Sequence, residues 1–332
     1  MPEKIDRNLS LELVRVTEAA AMAAARLMGR GDKDAADGAA VQAMRIALSS
    51  VGMDGTVVIG EGEKDQAPML FIGEKIGTGE PPKVDIAVDP IDGTRLLAGG
   101  LPNAISVVAL AEEGSLYHSP GIFYMNKIAV GPAAKGHIDL DQSVEWNIKS
   151  VAQAKKMDVS ELTVVILERP RHEQLIREVR QAGARIKLIT DGDVAGSIMT
   201  ALDGTGVDIL MGIGGSPEAV ISACALKCIG GDIQCRLYPR DDDEKRQASE
   251  MGADFNKLFT INDLAKGENI FVSLTGITNG ELVAGVKYHE NGLETHSLVM
   301  RSKSGTVRDV RARHRLDKLM AFSEIEFMQH HS

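Results

Sequence analysis

Val88-Asp89-Pro90-Ile91-Asp92-Gly93-Thr94-Arg95 closes the clearest strand in the chain. Upstream, Val84-Asp85-Ile86-Ala87-Val88 carries apolar residues as a mostly buried strand does, and Asp89 falls where that run ends. Pro90 has no N–H for a sheet ladder, and Gly93 accepts the backbone angles of a tight turn. The stretch therefore reads as a strand that aims its last carboxylate into a cleft. The turn after it presents Asp89 and Asp92 together, beside the N–H groups around Gly93 and Thr94. Hard oxygen ligands next to unpaired amides suit Mg2+ or Mn2+ carrying a phosphate oxygen. A capped strand-to-helix turn uses the same residue types, so the octet needs support from elsewhere in the chain.

Upstream of the octet, Thr56-Val57-Val58-Ile59 is a short β-branched strand feeding Gly60-Glu61-Gly62-Glu63, a second carboxylate site at a strand exit. Before it, Leu9, Leu13, Val16, Ala20, Ala24 and Leu27 recur at helical spacing, and Gly29 or Gly31 ends that helix. Val41, Met44, Leu48 and Val51 share one face of a second helix, and four residues before Val41 stands Asp37. A first-turn carboxylate on an inward face serves either the helix dipole or a metal. Pro68 to Ile72, Ala104 to Leu110, Leu116 to Phe123 and Ile128 to Val130 read as further strands, with a turn at Glu112-Glu113-Gly114. Together these imply a mixed sheet with helices on one face.

From Thr163 strands and helices alternate: Thr163–Leu167, Gln174–Ala182, Arg185–Ile189, Val194–Leu202, Val207–Met211 and Glu218–Ile229. Such a rhythm implies a second, largely parallel sheet, whose ligands bind at the carboxyl ends of its strands. Those ends read Glu168-Arg169-Pro170-Arg171, Thr190-Asp191-Gly192-Asp193 and Gly212-Ile213-Gly214-Gly215-Ser216-Pro217-Glu218. Arg169 and Arg171 flank a proline that fixes the backbone, so two guanidiniums can be held for a phosphate. The glycine run lacks dinucleotide spacing and reads as a turn into a helix, with Ser216 as cap and Pro217 at the first helical position. After Gly230, Asp241-Asp242-Asp243-Glu244 reads as a solvated acidic run. Asn269–Thr275, Gly280–Val286, Leu293–Met300 and Thr306–Val310 suggest terminal strands, with turns at Asn279-Gly280 and Asn291-Gly292.

The 332 residues exceed one typical domain, and 44% hydrophobic content is ample for a core. A metal-binding α/β domain over 1–160 and a sugar- and phosphate-binding α/β domain over 161–332 are expected, with the placement of 265–332 left open. A net charge of −10 without a basic tract argues against nucleic acid or an anionic membrane as partner. An anionic substrate would then need divalent cations and a few placed Arg or Lys residues. Cys224, Cys228 and Cys235 are too few and too clustered for a disulfide framework, and no uncharged run approaches a membrane span. A cytoplasmic protein with reduced thiols is expected.

Carboxylates at Asp37, Glu61, Asp89 and Asp92, together with Thr94, resemble the constellation of the lithium-sensitive, magnesium-dependent sugar and inositol phosphatases. The motifs Gly29–Lys33, Asp37–Ala40, Ile59–Glu63, Ala67–Leu70, Arg169–His172, Asp191–Val194, Gly212–Gly215 and Leu274–Thr278 resemble bacterial class II fructose-1,6-bisphosphatases in particular. That resemblance implies an αβαβα layered fold and hydrolysis of the 1-phosphate of fructose 1,6-bisphosphate in gluconeogenesis. Sedoheptulose 1,7-bisphosphate is a further candidate substrate. It also implies Mg2+ or Mn2+ held by Asp37, Glu61, Asp89 and Asp92, with Glu218 an additional ligand or sugar contact. Thr94 and a nearby carboxylate would orient the attacking water, and the Asp92-Gly93-Thr94 amides would take the scissile phosphate. Tyr124, Arg169, Pro170 and Arg171 would bind the distal phosphate, and Asp191, Gly192, Asp193 and Gly215 the sugar, with Lys33 as a phosphate contact. Asp92 stands where related sequences carry Glu, and Arg169 where Lys is also met. A homo-oligomer, dimer or tetramer, is expected on general grounds. The alternative of a different class is a non-catalytic phosphosugar-binding regulator on the same fold.

Overall fold

The computed structural model describes residues 8–61, 70–118, 121–290, 292–319 and 325. Helices α1 (Ser10–Ala25) and α2 (Lys33–Ser49) lie side by side, and the apolar spacing marks their buried faces: Leu13, Val16, Ala20 and Ala24 on α1, Met44 and Leu48 on α2. Small alanine side chains let α1 approach both α2 and the sheet beneath. The Asp32 carboxylate caps α2 by accepting the Ala35 N–H at 3.0 Å. Strands β1 (Asp54–Ile59), β2 (Lys75–Ile76), β3 (Lys83–Asp92) and β4 (Ile105–Glu112) follow, with α3 (Thr94–Ala98) between the last two.

Beyond β4 the chain crosses to a second sheet through β5 (Tyr124–Val130), then runs through α4 (Val144–Lys155), β6 (Thr163–Leu167), α5 (Glu173–Ala182), β7 (Arg185–Ile189), α6 (Asp193–Met199), β8 (Ile209–Gly215), α7 (Ser216–Ile229), β9 (Asp232–Tyr238), α8 (Asp242–Glu250) and β10 (Phe259–Thr260). It returns to the first sheet in β11 (Phe271–Gly276), β12 (Lys287–His289), β13 (Gly292–Arg301) and β14 (Thr306–His314). The first sheet runs β12-β13-β11-β4-β3-β1-β2, with β14 also on β13; the second runs β10-β9-β5-β8-β6-β7. β1 and β3 are parallel, as are β7, β6 and β8, and the remaining pairs are antiparallel.

Strand alternation accounts for the layering. On β4, Val108 and Leu110 face α1 and α2, whereas Val107, Ala109 and Ala111 face a central layer formed by α6 and α7. On β5, Met125 and Ala129 face that same layer, whereas Ile128 and Val130 face α4 and α5. The order is helix, sheet, helix, sheet, helix, the expected αβαβα sandwich. α7 is apolar on every side because it lies between two sheets; Ala219, Ile221, Ala223, Leu226 and two of the three free, buried cysteines are on it. Burial pushes all three thiols up, Cys224 and Cys235 to about 12. No helix among the described residues is long and apolar enough to cross a membrane.

Several local expectations change. The first sheet carries helices on both faces, and the second is parallel only over β7, β6 and β8. Leu116 to Phe123 is not a strand: Leu116 makes one bridge to Ala265, residues 119–120 lie outside the described residues, and the strand is Tyr124–Val130. Leu70 to Ile72 form none, and residues 68–69 lie outside the described residues. Gly280–Val286 is replaced by short β12, and Asn291 lies outside the described residues. The glycine run is not a turn but the end of β8, held flat by pairing with β5. Gly215 is therefore the cap of α7, Ser216 its first residue, and the Ser216 hydroxyl donates to Ile122 O at 2.8 Å instead. Within the acidic run, Asp241 caps α8, and Glu244 is buried against Arg240 at 3.0 Å. Helix α4 and strand β9 were not anticipated.

Candidate active site

Asp89 does not end its strand. Pairing runs Asp89↔Val107 and resumes at Asp92↔Ile105, so Pro90 and Ile91 together oppose Ser106 alone. Proline cannot donate to the ladder, and a bulge forms where it stands. Residues three apart on a regular strand point to opposite faces; the extra residue brings Asp89 and Asp92 to the same side. Asp89 Oδ1 accepts the Ile91 N–H at 3.2 Å, and Asp92 Oδ2 accepts the Ala195 N–H at 2.9 Å from the first turn of α6. Gly93, at φ 101°, turns the chain into α3. The Thr94 hydroxyl then donates to Asp37 Oδ1 at 2.9 Å, which ties α2 to the turn.

These residues open onto a cavity of about 330 Å3 between the two sheets. Glu61, Asp89, Asp92 and Glu218 line its acidic end. Burial raises Glu61 and Glu218 to about 7, and neighbouring carboxylates add to it. Asp89 and Asp92 are driven well above the usual carboxylate range, first by burial and then, for Asp89, by the charge of Asp92 and, for Asp92, by that of Asp193. Asp37 is also raised by burial, against the lowering effect of the Thr94 hydrogen bond. Such a set cannot hold all its negative charge without cations. Glu218 Oε2 is buried with no hydrogen-bond partner. A Cβ on Gly215 would stand 1.7 Å from that oxygen, so the missing side chain makes its room. Hard oxygen donors around an unpartnered carboxylate fit a divalent cation. Among the described residues no three such side chains form a ready-made cage.

The opposite end is cationic. Arg171 donates to Ile213 O at 2.8 Å and lies over the Tyr124 ring, 4.8 Å from its centroid. Arg169 is 3.6 Å from Asp191 Oδ1, while Asp191 Oδ2 accepts the Arg95 N–H at 3.2 Å, so Asp191 joins this end to the metal-facing turn. His172 Nδ1 donates to Leu167 O at 2.6 Å and Nε2 accepts the Ile213 N–H at 2.7 Å. That pairing requires the neutral imidazole, and burial lowers its pKa accordingly.

The cavity lining therefore unites Glu61, Asp89, Asp92, Gly93, Thr94, Tyr124, Arg169, Arg171, Asp191, Gly192, Asp193, Gly215 and Glu218. Asp37 stands behind Thr94. Lys33, exposed at the start of α2, and Pro170 are outside the lining. Sequence reasoning overlooked Arg95 and Phe123 in the lining, and Lys127 beneath it, 2.6 Å from Asp193 Oδ2. Lys127 had a signal: it shares strand parity with the inward residues Met125 and Ala129.

Comparison with known proteins gives the same direction. The sequence model described as bacterial fructose-1,6-bisphosphatase, glpX-encoded, matches residues 7–314. The chain is 47% identical over 325 residues to fructose-1,6-bisphosphatase 1 class 2 of Escherichia coli (strain K12), covering 94% of this chain and 96% of that one. It has the same identity and coverage against fructose-1,6-bisphosphatase class 2 of Shigella flexneri.

Proposed function

The chain belongs to the bacterial fructose-1,6-bisphosphatase family, and we infer from that premise that it hydrolyses the 1-phosphate of fructose 1,6-bisphosphate, releasing fructose 6-phosphate and phosphate, in gluconeogenesis. The observation that carries this reading is one cavity with carboxylates at one end and two arginines at the other. That polarity suits a substrate with two phosphates, one met by metal ions and one by guanidiniums. The regulator reading has no support, since every carboxylate and the threonine of the acidic end are present.

In this reading Asp37, Glu61, Asp89 and Asp92 hold the cations, Mg2+ or Mn2+, and Glu218 adds a ligand or meets the sugar. Bound divalent cations would supply charge to the phosphoryl oxygens and acidify an attacking water. The protein's own work is placement. Because the Thr94 hydrogen is given to Asp37 Oδ1, the Thr94 oxygen is left to accept a hydrogen bond from water, and Asp37 is where the water's proton can be taken. The Asp92-Gly93-Thr94 turn receives the scissile phosphate. Tyr124 at the start of β5, with Arg169 and Arg171 on the loop fixed by Pro170, receives the distal one. Asp191, Gly192, Asp193 and Gly215 meet the sugar hydroxyls, and Lys33, one helical turn before Asp37, is a further phosphate contact. Residues up to about 160 chiefly supply the metal side and those after it the sugar side. A cytoplasmic homo-oligomer, dimer or tetramer, completes the reading, on the general tendency of such enzymes to associate symmetrically.

The test is phosphate release from fructose 1,6-bisphosphate, sedoheptulose 1,7-bisphosphate and inositol 1-phosphate, with Mg2+, with Mn2+ and after chelation. Asp89→Asn, which removes ligand charge at constant volume, is run beside the wild type. Metal-dependent release from the bisphosphates, little from inositol phosphate and loss of most activity in a folded Asp89→Asn protein are expected. Near-wild-type turnover of that variant at saturating Mg2+ would sink the metal assignment.

A further inference from the structure

Lys127 leads the fully buried large side chains and is 1% exposed. Its strand parity sends it toward the apolar layer around α7, where an unpaired ammonium would be strongly unfavourable. Its tip is met by three elements at once: Asp193 Oδ2 from α6 at 2.6 Å, Gly215 O from the end of β8 at 3.3 Å, and the nearby charge of Glu218 on α7. β8 leaves the space for this meeting. A Cβ on Gly214 would stand 1.9 Å from Asp193 Oδ2 and 2.8 Å from the Lys127 nitrogen. A buried ion pair adds little net stability over an apolar pair of similar volume, so folding alone gives weak grounds for placing one at a cavity wall.

We propose that Lys127 is a positioning residue for the sugar: its ammonium fixes the Asp193 carboxylate and the Gly214-Gly215 backbone where they meet the hydroxyls between the two phosphates. This rests on the sugar-bisphosphate reading. A wild-type protein inactive on bisphosphates would remove that reading, whereas Lys127 is judged only by variants measured against an active wild type.

The experiment is steady-state kinetics of Lys127→Met, Asp193→Asn and the double variant on fructose 1,6-bisphosphate with saturating Mg2+, with inorganic phosphate as inhibitor. Lys127→Met is expected to raise KM about tenfold or more with a smaller fall in kcat, the pattern of lost binding common to ground and transition states. The Ki for inorganic phosphate, which has no sugar, should move less than about threefold. Because Lys127 acts through Asp193, the double variant should lose no more than Asp193→Asn alone. A Lys127→Met protein with wild-type KM, an equal rise in both constants, or a double variant whose loss is the product of the single losses overturns the proposal. Should Lys127→Met fail to fold, the double variant, which leaves neither member of the Lys127–Asp193 ion pair facing the loss of the other, decides by the same comparison with Asp193→Asn.

Discussion

Replacing Gly215 by alanine tests the acidic end of the cavity with a single methyl group. The backbone at Gly215, φ −64° and ψ 146°, suits any residue, so alanine adds no strain to the chain itself. Its Cβ would stand 1.7 Å from Glu218 Oε2 and 2.5 Å from Cδ. The carboxylate would have to retreat by about 1.5 Å or more to reach ordinary contact distance. Glu218 is in the first turn of α7, a helix packed between two sheets, so the displacement cannot be absorbed by moving the helix. Because the clash is with the flexible end of a side chain and not with backbone, the carboxylate can swing aside for less than about 1 kcal/mol, and the melting temperature should fall by no more than a few degrees. Misplacing a group at a reacting centre by about 1 Å can cost roughly a hundredfold, so kcat/KM for fructose 1,6-bisphosphate should fall by about that factor. Phosphate release at saturating Mg2+ measures the second effect, and thermal melts with and without Mg2+ measure the first. A folded alanine variant with kcat/KM within about threefold of wild type would refute the claim that Glu218 must occupy this position.

Gly38→Ala should have the opposite sign: Gly38 is an exposed residue inside α2 with open space where its Cβ would point, so alanine should raise stability by about 0.5–1 kcal/mol in denaturant titrations, and a loss would expose a role for that glycine outside helix propensity. His172→Ala removes the acceptor of the Ile213 N–H and the donor to Leu167 O, which should cost about 1–3 kcal/mol per group left unsatisfied. Arg171, which grips the carbonyl of the same residue, Ile213, should loosen and KM for the bisphosphate should rise more than kcat falls; an unchanged KM would show that the arginine needs no such brace. The chelated protein should melt at a higher temperature near pH 5.5 than near pH 8. Glu61 and Glu218 titrate at about 7 when folded, above the unfolded value of 4.5, so the folded state binds protons the unfolded state has released, and stability present at low pH is lost as pH rises through about 7. Saturating Mg2+ should close that gap, with its largest stabilisation at the higher pH; a melting temperature that rises with pH in the chelated protein would contradict the raised carboxylates.

Local pattern was sufficient wherever a segment's neighbours along the chain decide its state. Thr163–Leu167 and Arg185–Ile189 form strands over the expected residues, because β-branched runs between charged turns have few other uses. The carboxylates of the acidic end were legible for a similar reason: Asp89, Asp92 and Glu61 stand next to the proline and glycines that shape the backbone presenting them.

What the residues determined by themselves was therefore the strands and helices one by one, the acidic turn and the arginine loop, since hydrophobic period and turn chemistry are properties of a few adjacent residues; the αβαβα layering was implied only by the family resemblance. Tertiary structure alone decided partners. Gly212–Gly215 became strand instead of turn because β5 pairs with it from some 90 residues earlier in the chain. Phe271 to His314 returned to the first sheet because β4 offered β11 an open edge. Lys127 became the buried counter-charge of Asp193 only when β5, α6 and β8 met around it, and a contact spanning 88 residues, such as that from Lys127 to Gly215, leaves no trace in local periodicity.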